Sequence, residues 1–294
     1  MQTYPFSFLL RSDIKKKVGT RSANSHKGMF GHVLIIAGSK GMCGAALLSA
    51  AGALRSGAGL VTLAVPETIH DTVAGKIPEV MTLGLTATKS GTVSFAALEV
   101  VSAVWDRFDA VLIGPGLSRE KETSSFVEKV IEGCSKPLVI DADGINAIEG
   151  NPDILLRRKG KTVVTPHPKE YLRLFGVDIT KENSRISSPI LFSLKFGVTI
   201  VLKGHKTVVA DHGCYYINST GNPGLATGGS GDVLAGMIVS LLGQRCETFH
   251  AACFGVYLHG LAADYGRLRK GVVSLLPTDV IDYIPHAFKR CGVH

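Results

Sequence analysis

A chain of 294 residues with 45% hydrophobic and 19% charged side chains has enough apolar mass for a large core and too little charge for a disordered polymer. Its 32 Lys and Arg against 24 Asp and Glu leave a formal charge of +8, a field that favours anionic ligands. The basic runs Lys15 to Lys17, Arg157 to Lys161 and Arg267 to Lys270 lack interleaved aromatics and read as solvated faces, which argues against a nucleic-acid partner.

Residues 1–25 are polar and basic apart from Tyr4 to Leu10, and read as an N-terminal arm on one domain covering 1–294. The basic residues follow that apolar stretch rather than precede it, unlike a secretory signal. A series of short, nearly all-apolar runs then begins: Val33 to Ala37, Leu60 to Val65, Ala110 to Ile113, Leu138 to Ile140, Thr162 to Val164 and Val198 to Leu202. Such runs predict strands buried on both faces. Helical spacing separates many of them, at Ala45 to Arg55, Phe126 to Glu132 and Glu170 to Phe175. Thr207 to Ala210 and Cys214 to Ile217 predict a hairpin across Asp211-His212-Gly213, and long helices follow over Gly231 to Leu242 and Thr248 to Tyr265. The alternation predicts an α/β fold, a mainly parallel sheet flanked by helices. No uncharged run approaches the roughly 20 residues of a bilayer span. None of the six cysteines belongs to a C-x-x-C or zinc pattern, so a cytoplasmic protein in a reducing compartment, without a membrane partner, is expected.

The most informative segment is Asn222-Pro223-Gly224-Leu225-Ala226-Thr227-Gly228-Gly229-Ser230-Gly231-Asp232, with an apolar helix directly after it. The first amides of that helix lack intrahelical partners and face forward with the positive end of the dipole, which suits phosphate oxygens. Asp232 beside such a cradle reads two ways: as an acid that stabilises the dipole, or as the base that deprotonates a hydroxyl attacking phosphorus. Gly38, Gly41 and Gly44 have neither the spacing of a Rossmann fingerprint nor the Gly-Lys-Ser/Thr ending of a Walker loop. His167 follows a predicted strand, where open α/β sheets place ligands. Asp141, Asp143 and Asn146 read chiefly as structural caps, with a metal-water shell as the alternative.

Gly-Gly-Ser-Gly-Asp at 228–232 resembles the anion-hole signature of ribokinase-like proteins, whose fold is a three-layer α/β sandwich. Further segments resemble the ADP/ATP-dependent NAD(P)H-hydrate dehydratase family in the family's order. They are Lys27-Gly28 through Gly31-His32, Ala37-Gly38-Ser39, Gly44-Ala45-Ala46, Gly114-Pro115-Gly116-Leu117, Asp141-Ala142-Asp143, Thr165-Pro166-His167-Pro168 with Glu170, and Val201-Leu202-Lys203-Gly204. Ser219, Gly144 and Ser230 stand where Pro, Ala and Thr are usual, and none of these departures removes a reacting group.

The resemblance implies Asp232 as catalytic base and as a substrate contact together with Ala45, Gly116 and His167. It implies an anion hole of Gly228, Gly229, Ser230 and Gly231, and a nucleotide site of Lys203, Gly204, His205, Lys206, Thr207 and Gly231. Glu170 occupies the place of an acidic residue near Mg²⁺. The implied reaction is ADP-dependent dehydration of NADHX or NADPHX, with ATP as the other nucleotide choice, in a homotetramer that relies on a separate epimerase. A hydroxyethylthiazole kinase-like enzyme is the alternative, and a catalytically silent nucleotide binder is the alternative from another class.

Overall fold

The computed structural model describes residues 7–18, 21–179 and 182–294. Its frame is a nine-stranded sheet of β1 (His32–Ile36), β2 (Leu60–Pro66), β3 (Met81–Leu85), β4 (Ala110–Ile113), β5 (Leu138–Ile140), β6 (Thr162–Val164), β7 (Thr199–Leu202), β8 (Val208–Asp211) and β9 (Cys214–Ile217). The spatial order is β3-β2-β1-β4-β5-β6-β7-β8-β9. All pairs up to β6–β7 are parallel; β7–β8 and β8–β9 are antiparallel. His212 and Gly213, both at positive φ, make the two-residue turn of the closing hairpin, the backbone a tight right-twisted hairpin needs.

The helices are α1 (Ser7–Val18), α2 (Cys43–Arg55), α3 (Glu67–Val73), α4 (Ala97–Val104), α5 (Lys121–Gly133), α6 (Asp143–Ala147), α7 (Pro168–Phe175), α8 (Glu182–Phe196), α9 (Ser230–Gly243), α10 (Thr248–Lys270) and α11 (Pro277–Arg290). Alternation along the strands divides the core. Val33, Ile35, Leu63, Leu112, Val139 and Val201 face α2, α9, α10 and α11, whereas Leu34, Ile36, Val111, Ile113, Ile140 and Leu202 face α4, α5, α7 and α8. The result is the expected three-layer α/β sandwich. Within the N-terminal arm, Ile14 of α1 is buried in the first core and Arg11 donates to the Tyr257 hydroxyl at 2.7 Å. No described helix is long and apolar enough to cross a membrane, and all six cysteines are free thiols.

Helix α9 is buried almost all round. It is apolar on most of its circumference because it runs between the sheet and α2 and α10, with 12 of its 14 residues buried. Glycines let it come close: a β-carbon on Gly236 would lie 2.0 Å from Ser49 O, and one on Gly52 2.6 Å from Val233 O.

Candidate active site

The parallel strands end on one side of the sheet, and the loops after β1, β4, β5, β6 and β7 meet there. Asp141 leaves the end of β5 and is 1% exposed. Its Oδ1 accepts from Thr165 Oγ1 at 2.7 Å and from Lys203 Nζ at 2.6 Å, which ties together the ends of β5, β6 and β7. Lys203 Nζ also lies 3.9 Å from Glu170 Oε2. The ammonium reaches the first turn of α9 as well, since a β-carbon on Gly231 would stand 3.4 Å from it and 4.0 Å from Asp141 Oδ2. Lys203 is therefore held inside the site.

Asp232 belongs to the same charged group. Burial, with Asp141 next in weight and Asp143 and Glu170 adding to it, pushes its pKa up to about 7, against the pull of Lys203. Burial also raises the Glu170 carboxyl, opposed by Lys203. Burial acts to lower the Lys203 ammonium, but Asp141 and Glu170 together hold it above its ordinary range. Three carboxylates thus share one buried cation, and such an excess of negative charge must be met by protons or by a further cation.

Gly229 caps α9 with φ +95, a left-handed conformation that suits glycine, and a β-carbon there would meet Leu48 Cδ1 at 2.5 Å. Gly228 has open space on its side-chain face, and Ser230 is buried as the first helical residue. The helix starts one residue before the expected Gly231.

His167 caps α7 through a reciprocal pair of bonds. Its Nδ1 accepts from the amides of Lys169 and Glu170 at 3.1 and 3.2 Å, and Glu170 Oε2 accepts from the His167 amide at 2.8 Å. Nδ1 is therefore unprotonated, and burial followed by Lys203 lowers the imidazole pKa, so a neutral ring carries its hydrogen on Nε2. Glu170 is thus at once the capping acid and a neighbour of Lys203.

On the other flank, Gly116 has φ +65, and a β-carbon there would come within 2.9 Å of Ala45 Cβ. The loop is pinned by Gly38 N donating to Pro115 O at 2.8 Å and Ser39 Oγ to Gly116 O at 2.8 Å. Gly114 backs onto the Asp141 carbonyl, where a β-carbon would stand 1.8 Å away. Ala45 and Gly116 are thus adjacent and continuous with the Asp141 loop. Gly204, His205 and Lys206 lie on the exposed β7–β8 loop with Thr207 at its end, its Oγ1 donating to Gly204 O at 2.9 Å; Arg185 NH2 donates to the His205 carbonyl at 3.1 Å.

Asp141 corrects its structural reading: it sits at the centre of the charged group, and the cue was its place directly after an all-apolar strand. Asp143 and Asn146 do serve as local ties, Asp143 accepting from the Ser118 amide at 2.8 Å and from Asn146 Nδ2 at 3.0 Å. The broad surface hollow between Arg269 and His286 is lined by none of these residues.

The chain is similar to known proteins over most of its length. The chain is 39% identical over 94% of its length to the bifunctional NAD(P)H-hydrate repair enzyme of Moorella thermoacetica, of which it spans 52%. Thus it covers about half the length of that curated relative. It is 33% identical to the ADP-dependent (S)-NAD(P)H-hydrate dehydratase of Bacillus subtilis, over 96% of this chain and 98% of that one. The crystal structure of the ADP/ATP-dependent NAD(P)H-hydrate dehydratase from Bacillus subtilis, co-crystallised with ATP and Mg²⁺, superposes with a TM-score of 0.79 at 30% identity, covering 96% of this chain and 97% of that one. The fold is ribokinase-like. Residues 33–286 match the NAD(P)H-hydrate dehydratase family model, and the chain belongs to that family.

Proposed function

We propose that the chain dehydrates the S-epimer of NADHX and NADPHX with ADP as phosphoryl donor, as one unit over residues 1–294. The observation that carries this reading is a carboxyl of near-neutral pKa, Asp232, in the first turn of a glycine-capped helix and electrostatically joined to Lys203. Asp232 takes the proton from the ring hydroxyl as that oxygen attacks the terminal phosphorus. A new O–P bond forms, the bond to the bridging oxygen breaks, and AMP leaves. The amides of the 228–231 turn meet the charge developing on the transferred group. The ring nitrogen's lone pair then expels phosphate from C6, and loss of the C5 proton restores the dihydronicotinamide.

Ala45, Gly116 and the neutral His167 hold the hydrate, the absence of a β-carbon at Gly116 leaving room for the ring. Lys203 and the 204–207 loop take the nucleotide. The surplus of buried carboxylate over Lys203 fits a divalent cation, and Glu170, with Asp141 beside it, is the residue to hold it. Among the described residues no three acidic, His or Cys groups converge as a ready metal cage; Mg²⁺ ordinarily takes one or two carboxylates plus phosphate oxygens. Such an ion would neutralise charge on the nucleotide phosphates. The reading includes a cytoplasmic homotetramer supplied with the S-epimer by a separate epimerase.

Phosphorus NMR of protein, NADHX, ADP and Mg²⁺ tests the reaction. AMP and inorganic phosphate in equal amounts are the expected products. A stable phosphoester in place of inorganic phosphate would make the protein a small-molecule kinase instead.

A further inference from the structure

Ser118 lies two residues beyond Gly116 and has φ +81, a left-handed backbone that a serine enters only at a cost. Asp143 holds it there, its Oδ2 accepting from the Ser118 amide at 2.8 Å. The other oxygen, Asp143 Oδ1, accepts from Asn146 Nδ2 at 3.0 Å, and Asn146 Oδ1 in turn accepts from Arg173 Nη2 at 2.5 Å. Arg173 Nε stands 3.5 Å from Glu149 Oε2, which accepts from Arg119 Nη2 at 2.6 Å. Arg119 follows Ser118 in the chain, so the circuit returns to the loop where it began.

This circuit spans the hydrate pocket. One end is the loop after β4, where Gly116 lies against Ala45. The other is α7, an eight-residue helix whose first turn is set by the His167 cap. A helix of about two turns behaves as a rod, so restraint on Arg173 near its C-terminal end is felt by His167 at its start. Asn146 stands between the two ends as donor to Asp143 and acceptor from Arg173; an Asp or a Leu, of similar size, could not do both. A plain capping role would stop at Asp143 and would not draw in Arg173, whose Nε is buried with no hydrogen-bond partner among the described residues.

We propose that Asn146 is a positioning residue for the hydrate: by joining Arg173 to Asp143, it sets the separation between the His167 and Gly116 walls of the pocket. The proposal rests on the reading that these two residues hold the hydrate.

Wild type, Asn146→Ala, Arg173→Met and the double variant are assayed with NADHX, ADP and Mg²⁺, and ADP affinity is measured by calorimetry. A wild type that does not act on NADHX overturns the dehydratase reading, and this proposal with it. With an active wild type, each single variant is expected to raise the hydrate KM about tenfold, while the Kd for ADP stays within about twofold. Arg173 acts through Asn146, so the double variant should lie within about twofold of the more affected single variant. A hydrate KM within about twofold of wild type in either single variant overturns the proposal. So does an equal loss for hydrate and ADP, which belongs to general distortion, or a double variant in which the two losses multiply. Should melting curves show that Asn146→Ala does not fold, Arg173→Met decides alone on the same split between hydrate and ADP, since its side chain is 32% exposed and its loss leaves the core intact.

Discussion

At the scale of single residues, burial and three neighbouring carboxylates give Asp232 a proton affinity that the unfolded chain lacks. An unfolded Asp titrates near about 4, the folded one at about 7. The folded state therefore binds more protons than the unfolded state between these values. The associated stability is present below the unfolded pKa and is lost as pH rises through the folded one. Asp232→Asn stays neutral and escapes that loss. Melting curves should show the variant more stable than wild type at pH 8 and nearly equal to it at pH 4; equal Tm shifts at both values would mean that Asp232 is not destabilised by burial. Gly116 gives a second test. An added methyl there meets Ala45 at 2.9 Å from a backbone with φ +65, a strain of about 1–2 kcal/mol. Gly116→Ala should raise the hydrate KM by about tenfold or more while ADP affinity, measured by calorimetry, stays within about twofold.

At the scale of elements, the contact of α2 with α9 sets where Ala45 stands relative to the anion-hole turn. The two helices approach at Gly52 and Gly236 so closely that no side chain fits. Gly236→Ala should cost about 1–3 kcal/mol or more by overpacking, seen as a Tm several degrees lower, with kcat reduced because the first turn of α9 is displaced. An unchanged Tm would show that the helices part without penalty. The elements that frame the site were legible in the sequence because they are buried on both faces: β4, β5 and β6 occupy the residues whose all-apolar runs predicted them. The edge strand β3 was not legible. Met81 is exposed, Gly84 interrupts it, and a strand covered on one side lacks a continuous apolar run. Helix α11 was hidden by Pro277 and Pro285, yet the first sits where a missing N–H costs nothing. Asp232, Gly231 and His167 were legible through glycine placement and strand-end position. Asp141 was obscured, since its significance lies in a partner 62 residues away, Lys203.

At the scale of the molecule, the sheet carries a shared charge balance to one edge, where Asp141, Glu170 and Asp232 compete for Lys203. The net charge of +8 is thus a property of the outer surface, and the site itself is acidic. An anionic nucleotide there would need a divalent cation and the helix amides together, and the Bacillus subtilis relative was co-crystallised with ATP and Mg²⁺. The most direct test of Asp232 as the base is recovery of the reduced-nicotinamide absorbance from NADHX with ADP and Mg²⁺ as a function of pH. In wild type kcat/KM should rise about tenfold per unit at low pH and level off above about 7, with Asp232→Asn slower by about 10²- to 10⁴-fold on the plateau. Recovery at the wild-type rate in Asp232→Asn would contradict the account.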